Sequence, residues 1–289
     1  GAVGEIIKKI AETENIEVVG VDIGGATTDI FSVFQGQFNR TVSANLGMSY
    51  SICNVLAESG FNNVARWVPF DMDEADLTNR IGNKMIRPTT VPQSLEALII
   101  EQAIAREALR LSFEQHKEFA VHLKGVQSER TISDAFEQTS SGETLVNLMK
   151  LDMLVGSGGV LSHAPRRHQA ARMLIDAFLP EGITQLAVDS IFMMPQLGIL
   201  STIHPKAAVE VFEKDCLIRL GTCVAPVGKT KPDQAVLQYE ISLPNERIGG
   251  ELMFGELKLI PAPFEPIKIK LTPSKGLDIG AGKNEVLET

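Results

Sequence analysis

One short string near the start constrains the fold more than any other stretch. Ile16 to Val21 is an apolar, β-branched run that predicts a buried strand. Gly24 and Gly25 break it, and Thr28 to Phe34 reads as a second strand. Gly36 marks another turn, and Gln37 to Ala44 a third strand. Strand, turn, strand, turn, strand is a meander, and its first turn is a hairpin tip with an uncommon composition.

The tip has the residue types that phosphate binding needs. Asp22 stands at a strand end, where a carboxylate can face a hydrated metal ion on a polyphosphate. Across Gly24, Gly25 and Ala26 the main chain carries little or no side chain, so N–H groups can approach phosphate oxygens closely. Thr27 and Thr28 add hydroxyl donors beside those amides. The string is not a Walker loop, which ends in Gly-Lys-Ser/Thr and opens a helix, and it is not a dinucleotide fingerprint. Read without function, it is a β-turn rich in Gly and Thr.

A second constellation runs from Leu151 to Leu161. A buried strand ends in Gly156, Ser157, Gly158 and Gly159, and a helix follows past Pro165. Bare backbone there lets a purine or ribose lie close to the chain. The bland alternative is a strand-to-helix connection that needs positive φ.

Around these loops the periodicity predicts helices over Val3 to Thr13, Gly47 to Gly60, Asp73 to Lys84, Arg166 to Leu179 and Pro205 to Lys214. The longest runs from Gln93 to Lys117. Phe119 to Val126 and Leu186 to Val188 read as strands, and Glu129 to Gly142 as polar loop or irregular helix. From about Lys229 prolines rise and apolar-polar alternation sets in, over Val236 to Leu243, Glu251 to Ile260 and Pro266 to Leu271. The expected organisation is an α/β domain over residues 1–228, with a helical insert at about 61–118, followed by a smaller, incomplete β-rich module over 229–289.

Composition narrows the function. A net charge of −9 argues against nucleic acid as a partner, because the phosphate backbone needs a basic face. No apolar run approaches the roughly 18 residues of a membrane span. Cys53, Cys216 and Cys223 lack zinc-ligand spacing and suit reduced thiols in a cytoplasmic protein. His116, His122, His168 and His204 also lack metal-ligand spacing. His163, just past the second loop, can face a ligand or simply solvent. Asp29 is read as structural, Trp67 and Met193–Met194 as packing groups, and Glu101, Arg106 and Glu107 as a solvated helix face. The chain begins at Gly1 rather than Met and is expected to be part of a longer protein.

Taken together and in this order, the two loops resemble the second phosphate and adenosine signatures of the actin, Hsp70 and sugar-kinase ATPase superfamily. Within it the chain resembles the MutL-type reactivating factors, accessory proteins of adenosylcobalamin-dependent glutamate (methylaspartate) mutase, unrelated to the mismatch-repair protein of that name. The strings that carry this are Val21 to Asp29, Gly156 to His163, Phe192 to Gly198, and Leu277 to Gly282.

The resemblance implies a ribonuclease-H-like, actin-type ATPase lobe with ATP and Mg2+ as ligands. The nucleotide would lie between two such lobes. The implied activity is chaperone-like: ATP binding and hydrolysis drive exchange of damaged cobalamin from glutamate mutase or a related aminomutase. The first phosphate loop of the superfamily is not found. Asp278 to Gly282 is the nearest candidate and reads instead as a turn, so ATP hydrolysis is expected of the full-length protein rather than this chain. No catalytic base can be assigned, and there is no Asp-x-His-x-x-Gly cobalamin signature. A small-molecule kinase of the same superfamily and a non-enzymatic actin-like assembly module are the rival readings.

Overall fold

A computed structural model describes residues 2–121, 144–263 and 265–288. The chain divides into two compact units. The first takes in Gly1–Asn147, Asp152–Leu179 and Gln185–Gly221; the second takes in Leu148–Leu151, Pro180–Thr184 and Thr222–Thr289.

The first unit is built on a mixed sheet. After helix α1 (Ala2–Glu14) come β1 (Val18–Ile23), β2 (Thr28–Phe34) and β3 (Gln37–Ser43), which form the predicted meander. Its register is antiparallel throughout, with Asp22 opposite Asp29 and Ile23 opposite Thr28. Helices α2 (Ile52–Ser59), α3 (Phe61–Ala65), α4 (Glu74–Ile86) and α5 (Leu95–Phe119) follow. The two long helices, α4 and α5, start one and two residues after the expected Asp73 and Gln93. The Asp73 side chain accepts from the Asp76 amide and that of Ser94 from Ala97, satisfying donors that a helix start leaves open.

The chain then returns through β4 (Met153–Ser157), α6 (Gly159–Ser162), α7 (Arg167–Phe178), β5 (Gly182–Asp189), α8 (Met194–Ser201), α9 (Pro205–Val211) and a π-helical turn at Phe212–Cys216 into β6 (Leu217–Ala225). The strand order is β3-β2-β1-β4-β5-β6, with β4 parallel to β1 and β5 parallel to β4. Strands buried on both faces are apolar nearly throughout, which is why β1 and β4 lack simple alternation. One face packs Ile6, Ile7 and Ile10 of α1 against Phe31, Val155, Met194, Leu197 and Phe212. The other face carries α5 and α7, joined by Phe113 and Phe178 at 4.7 Å between ring centres.

The second unit carries a sheet of order β10-β9-β7-β8, from β7 (Ala235–Ser242), β8 (Arg247–Met253), β9 (Lys268–Pro273) and β10 (Leu287–Glu288). Its small core is Val236, Leu237, Leu271, Leu277 and Ile279.

Some expectations need correction. The helix predicted from Gly47 begins only at Ile52, because the Met48 and Ser49 amides are spent on the carbonyls of Gly24 and Gly25. Phe119 closes α5 rather than opening a strand; Val121 makes one isolated bridge to Thr144, and the rest of that predicted strand, with His122 and Glu129 to Gly142, lies outside the described residues. Glu107 and Arg106 are not on a solvated face. Glu107 is fully buried and accepts from Arg66, Arg110 and Trp67, while Arg106 bonds Asp176 at 2.7 Å.

Candidate functional site

In an open parallel sheet, ligands gather at the carboxyl ends of strands where the connections switch direction. Here that point lies between β1 and β4, because the chain leaves β1 toward β2 and β3 and later returns on its other side. Both glycine-rich bends are found there. Gly24 follows β1, Gly158 follows β4, and Asp22 sits level with Ser157 in the parallel register. Gly158 has φ +101°, and a Cβ on it would lie 2.1 Å from the Ile23 carbonyl oxygen, so the two bends touch through bare main chain.

The hairpin tip is held from outside. The Gly24 amide donates to the Thr27 carbonyl at 2.8 Å and closes the turn. The Met48 and Ser49 amides then donate to the carbonyls of Gly24 and Gly25, each at 2.9 Å, and Ser51 Oγ donates to the Ala26 carbonyl at 2.7 Å. These bonds tie down the electronegative side of the tip. The amides of Gly25, Ala26 and Thr27 have no acceptor among the described residues. Successive N–H groups left without acceptors at a turn, with their carbonyls engaged, are able to attract an anion. A Cβ on Gly25 would lie 2.5 Å from Ser49 Oγ, so a side chain there would displace that hydroxyl.

Asp22 is the charged group beneath this tip. Its Oδ1 is buried with no hydrogen-bond partner. Burial, and then the charges of Asp29 and Asp189, push its carboxyl up to about 6. Asp29 is held by Arg40 at 2.6 Å, consistent with a structural role. Asp189, at the end of β5, is fully buried and accepts from the amides of Ile191 and Met194. A buried carboxylate oxygen without a donor suits either a proton or a nearby cation. Among the described residues no group of three or more His, Cys, Asp or Glu side chains could by itself hold a metal ion.

A cleft of about 820 Å3 opens at these bends, lined in part by Gly24, Gly25, Gly158, Gly159, His163 and Phe192. The predicted residues divide accordingly. Gly24, Gly25, Gly158 and Gly159 line the cleft; Asp22, Ala26, Thr27, Thr28, Gly156 and Ser157 are not in its wall. Thr28 is fully buried and its hydroxyl donates to the Leu46 carbonyl at 2.5 Å, so it braces the hairpin. Gly156 faces Leu161 and Leu174 in the interior, and Ser157 is buried.

The helical side of the wall comes from α4 and α5 through Lys84, Glu101, Leu95 and Leu98, with Lys84 and Glu101 paired at 3.2 Å. Sequence reasoning missed Met48, Ser49 and Lys84. The isolated Gly47 was the available signal, since a Cβ there would lie 2.5 Å from the Gly25 carbonyl oxygen. Asp278 behaves as the predicted turn: its Oδ1 accepts from the Gly280 and Gly282 amides, at 2.7 and 3.1 Å.

Protein MutL of Clostridium tetanomorphum is 23% identical over 218 residues, covering 68% of this chain and 45% of that protein, so the chain spans less than half the length of this curated relative. The crystal structure of Acidaminococcus fermentans (R)-2-hydroxyglutaryl-CoA dehydratase component A aligns at 13% identity with a TM-score of 0.32, covering 74% of this chain and 68% of that one, a likeness too loose to build on. The family model described as MutL protein matches residues 1–216, most of the sequence, and the chain therefore belongs to that family.

Proposed function

We propose that this chain is the ATP-binding lobe of a reactivating factor for an adenosylcobalamin-dependent mutase, its ligand seated at the cleft between the β1 and β4 bends. One observation carries the reading. Three main-chain amides without an acceptor among the described residues follow β1 directly after Asp22, whose Oδ1 is buried and unpartnered, and the Gly158 bend meets the chain at Ile23 between them. Polyphosphate suits the amides of Gly25, Ala26 and Thr27, and the ribose side suits Gly158 and Gly159. The residues fit Mg2+: Asp22 would hold it through its hydration shell, and the ion would supply charge neutralisation on the phosphates. Family membership and the sequence resemblance support the finer reading, in which an actin-type lobe works with a further N-terminal lobe and a glutamate or methylaspartate mutase, in the cytoplasm.

Phosphoryl transfer draws on charge neutralisation from several directions, so this chain alone should bind Mg·ATP weakly and turn it over slowly or not at all. Titration calorimetry with Mg·ATP tests the assignment. Binding that Asp22→Asn weakens at least tenfold supports it; no heat at millimolar Mg·ATP defeats it. Capture of the mutase by the full-length protein, released by ATP, tests the partner.

A further inference from the structure

We infer that Phe192 is the platform on which the nucleotide base stacks, and so the residue that lets this cleft tell a nucleotide from a bare polyphosphate. The inference rests on the nucleotide reading above and adds a base-recognition residue to it. Its starting point is backbone strain. Phe192 has φ +59°, a left-handed conformation that is an outlier for a bulky side chain. Such strain persists only where the surroundings over-determine it, and it gathers at ligand-binding positions.

The surroundings here are explicit. Asp189 accepts from the amides of Ile191 and Met194 at 3.3 and 3.0 Å, on either side of Phe192. Ser190 is tied through both its amide and its hydroxyl to the Cys216 carbonyl, each at 2.9 Å. Met194, two residues on, is fully buried in the core, and Pro195 sets the start of α8. The loop is thus pinned at both ends by a buried carboxylate and by the core. Phe192, held between those pins, is 42% exposed as a residue and lines the cleft. Packing does not account for a pinned, strained aromatic left in solvent, whereas a flat ligand would use it.

Its position along the sheet fits. The phosphate amides lie beyond β1, Gly158 beyond β4, and Phe192 beyond β5, in consecutive strand order. Neighbouring strands are about 4.8 Å apart, so the path from first to third is about 10 Å. That is comparable with the reach from a nucleotide's outer phosphates to its base. Leu95 and Leu98 supply apolar surface elsewhere in the same cleft wall.

Stacking on an aromatic ring is worth roughly five- to a hundredfold in affinity and tolerates any base. The test compares Mg·ATP with Mg·tripolyphosphate, which has no base, on the full chain by calorimetry. Wild type should favour ATP by about tenfold. Phe192→Leu, similar in size but without a π-face, should weaken ATP about tenfold and leave tripolyphosphate within twofold. Phe192→Tyr should restore the preference. Because the residue is half exposed, these variants should keep the wild-type unfolding midpoint, which circular dichroism checks. Phe192→Leu binding ATP as wild type does, or weakening both ligands equally, overturns the inference while leaving the nucleotide reading intact. If wild type binds neither ligand, both fall together.

Discussion

Asp22 should cost the folded chain stability when the cleft is empty, and the cost can be worked out. Its carboxyl is raised from an ordinary 3.8 to about 6. For an acid with a raised folded pKa, the favourable contribution is complete below the unfolded value and is lost as pH rises through the folded one. Two units at about 1.4 kcal/mol each make the ionised group a burden of about 3 kcal/mol above pH 7. The same linkage leaves about half of that at pH 5 and under about 1 kcal/mol at pH 4.

Asp22→Asn removes the charge and retains the shape. It should therefore raise the melting temperature at pH 7.5, by up to about 3 kcal/mol of stability, while weakening Mg·ATP binding. Calorimetric melts of both proteins from pH 4 to 7.5 should show the gap close as the wild-type carboxyl takes up its proton. Titrating groups away from Asp22 are common to both proteins and cancel. A variant that is less stable at pH 7.5, or more stable by the same amount at every pH, would refute the reasoning.

Three further outcomes are expected. His116, buried between Ser32 and Thr41, has its imidazole pushed down to about 4 by burial, so stability present above pH 6.5 is lost as pH falls toward 4, by up to about 3 kcal/mol; acid titration of the unfolding free energy should show this slope, and His116→Gln should flatten it. Gly158→Ala should cost about 3 kcal/mol in urea unfolding, because its Cβ would meet a backbone oxygen that cannot rotate away and φ is +101°; an unchanged midpoint would contradict the packing of the two bends. Glu107→Ala strands Arg66, Arg110 and the Trp67 indole and should cost about 3 to 5 kcal/mol, measured in the same way, with Glu107→Gln costing less.

Much of the framework was legible from local chemistry. Apolar runs broken by glycine marked β1 and β2, the Gly36 turn marked the start of β3, and periodicity placed helices over Asp73 to Lys84 and Gln93 to Lys117, close to α4 and α5. What was hidden depended on partners far along the chain. Residues 47–51 carry helical periodicity, but their hydrogen bonds go to a hairpin more than twenty residues earlier. The α8 helix has no single apolar stripe: Leu197 is buried and Ile199 exposed, so periodicity could not reveal it. The glycines of the site were visible, but their division into cleft wall and interior was not, since it follows from what each meets across the sheet. The strain at Phe192 is a property of its backbone, which residue type does not disclose.

The clasp on the hairpin has a mechanical consequence. Met48, Ser49 and Ser51 grip the tip through its carbonyls, and the same few residues lead directly into α2 and the helices beyond it. Tension applied to those helices reaches the tip by three short bonds rather than through the sheet. An anion drawing on the amides and a load pulling on α2 thus act on opposite sides of the same peptide groups. If the proposed ligand draws on those amides, a shift of the helical segment would be felt at this turn from its other side.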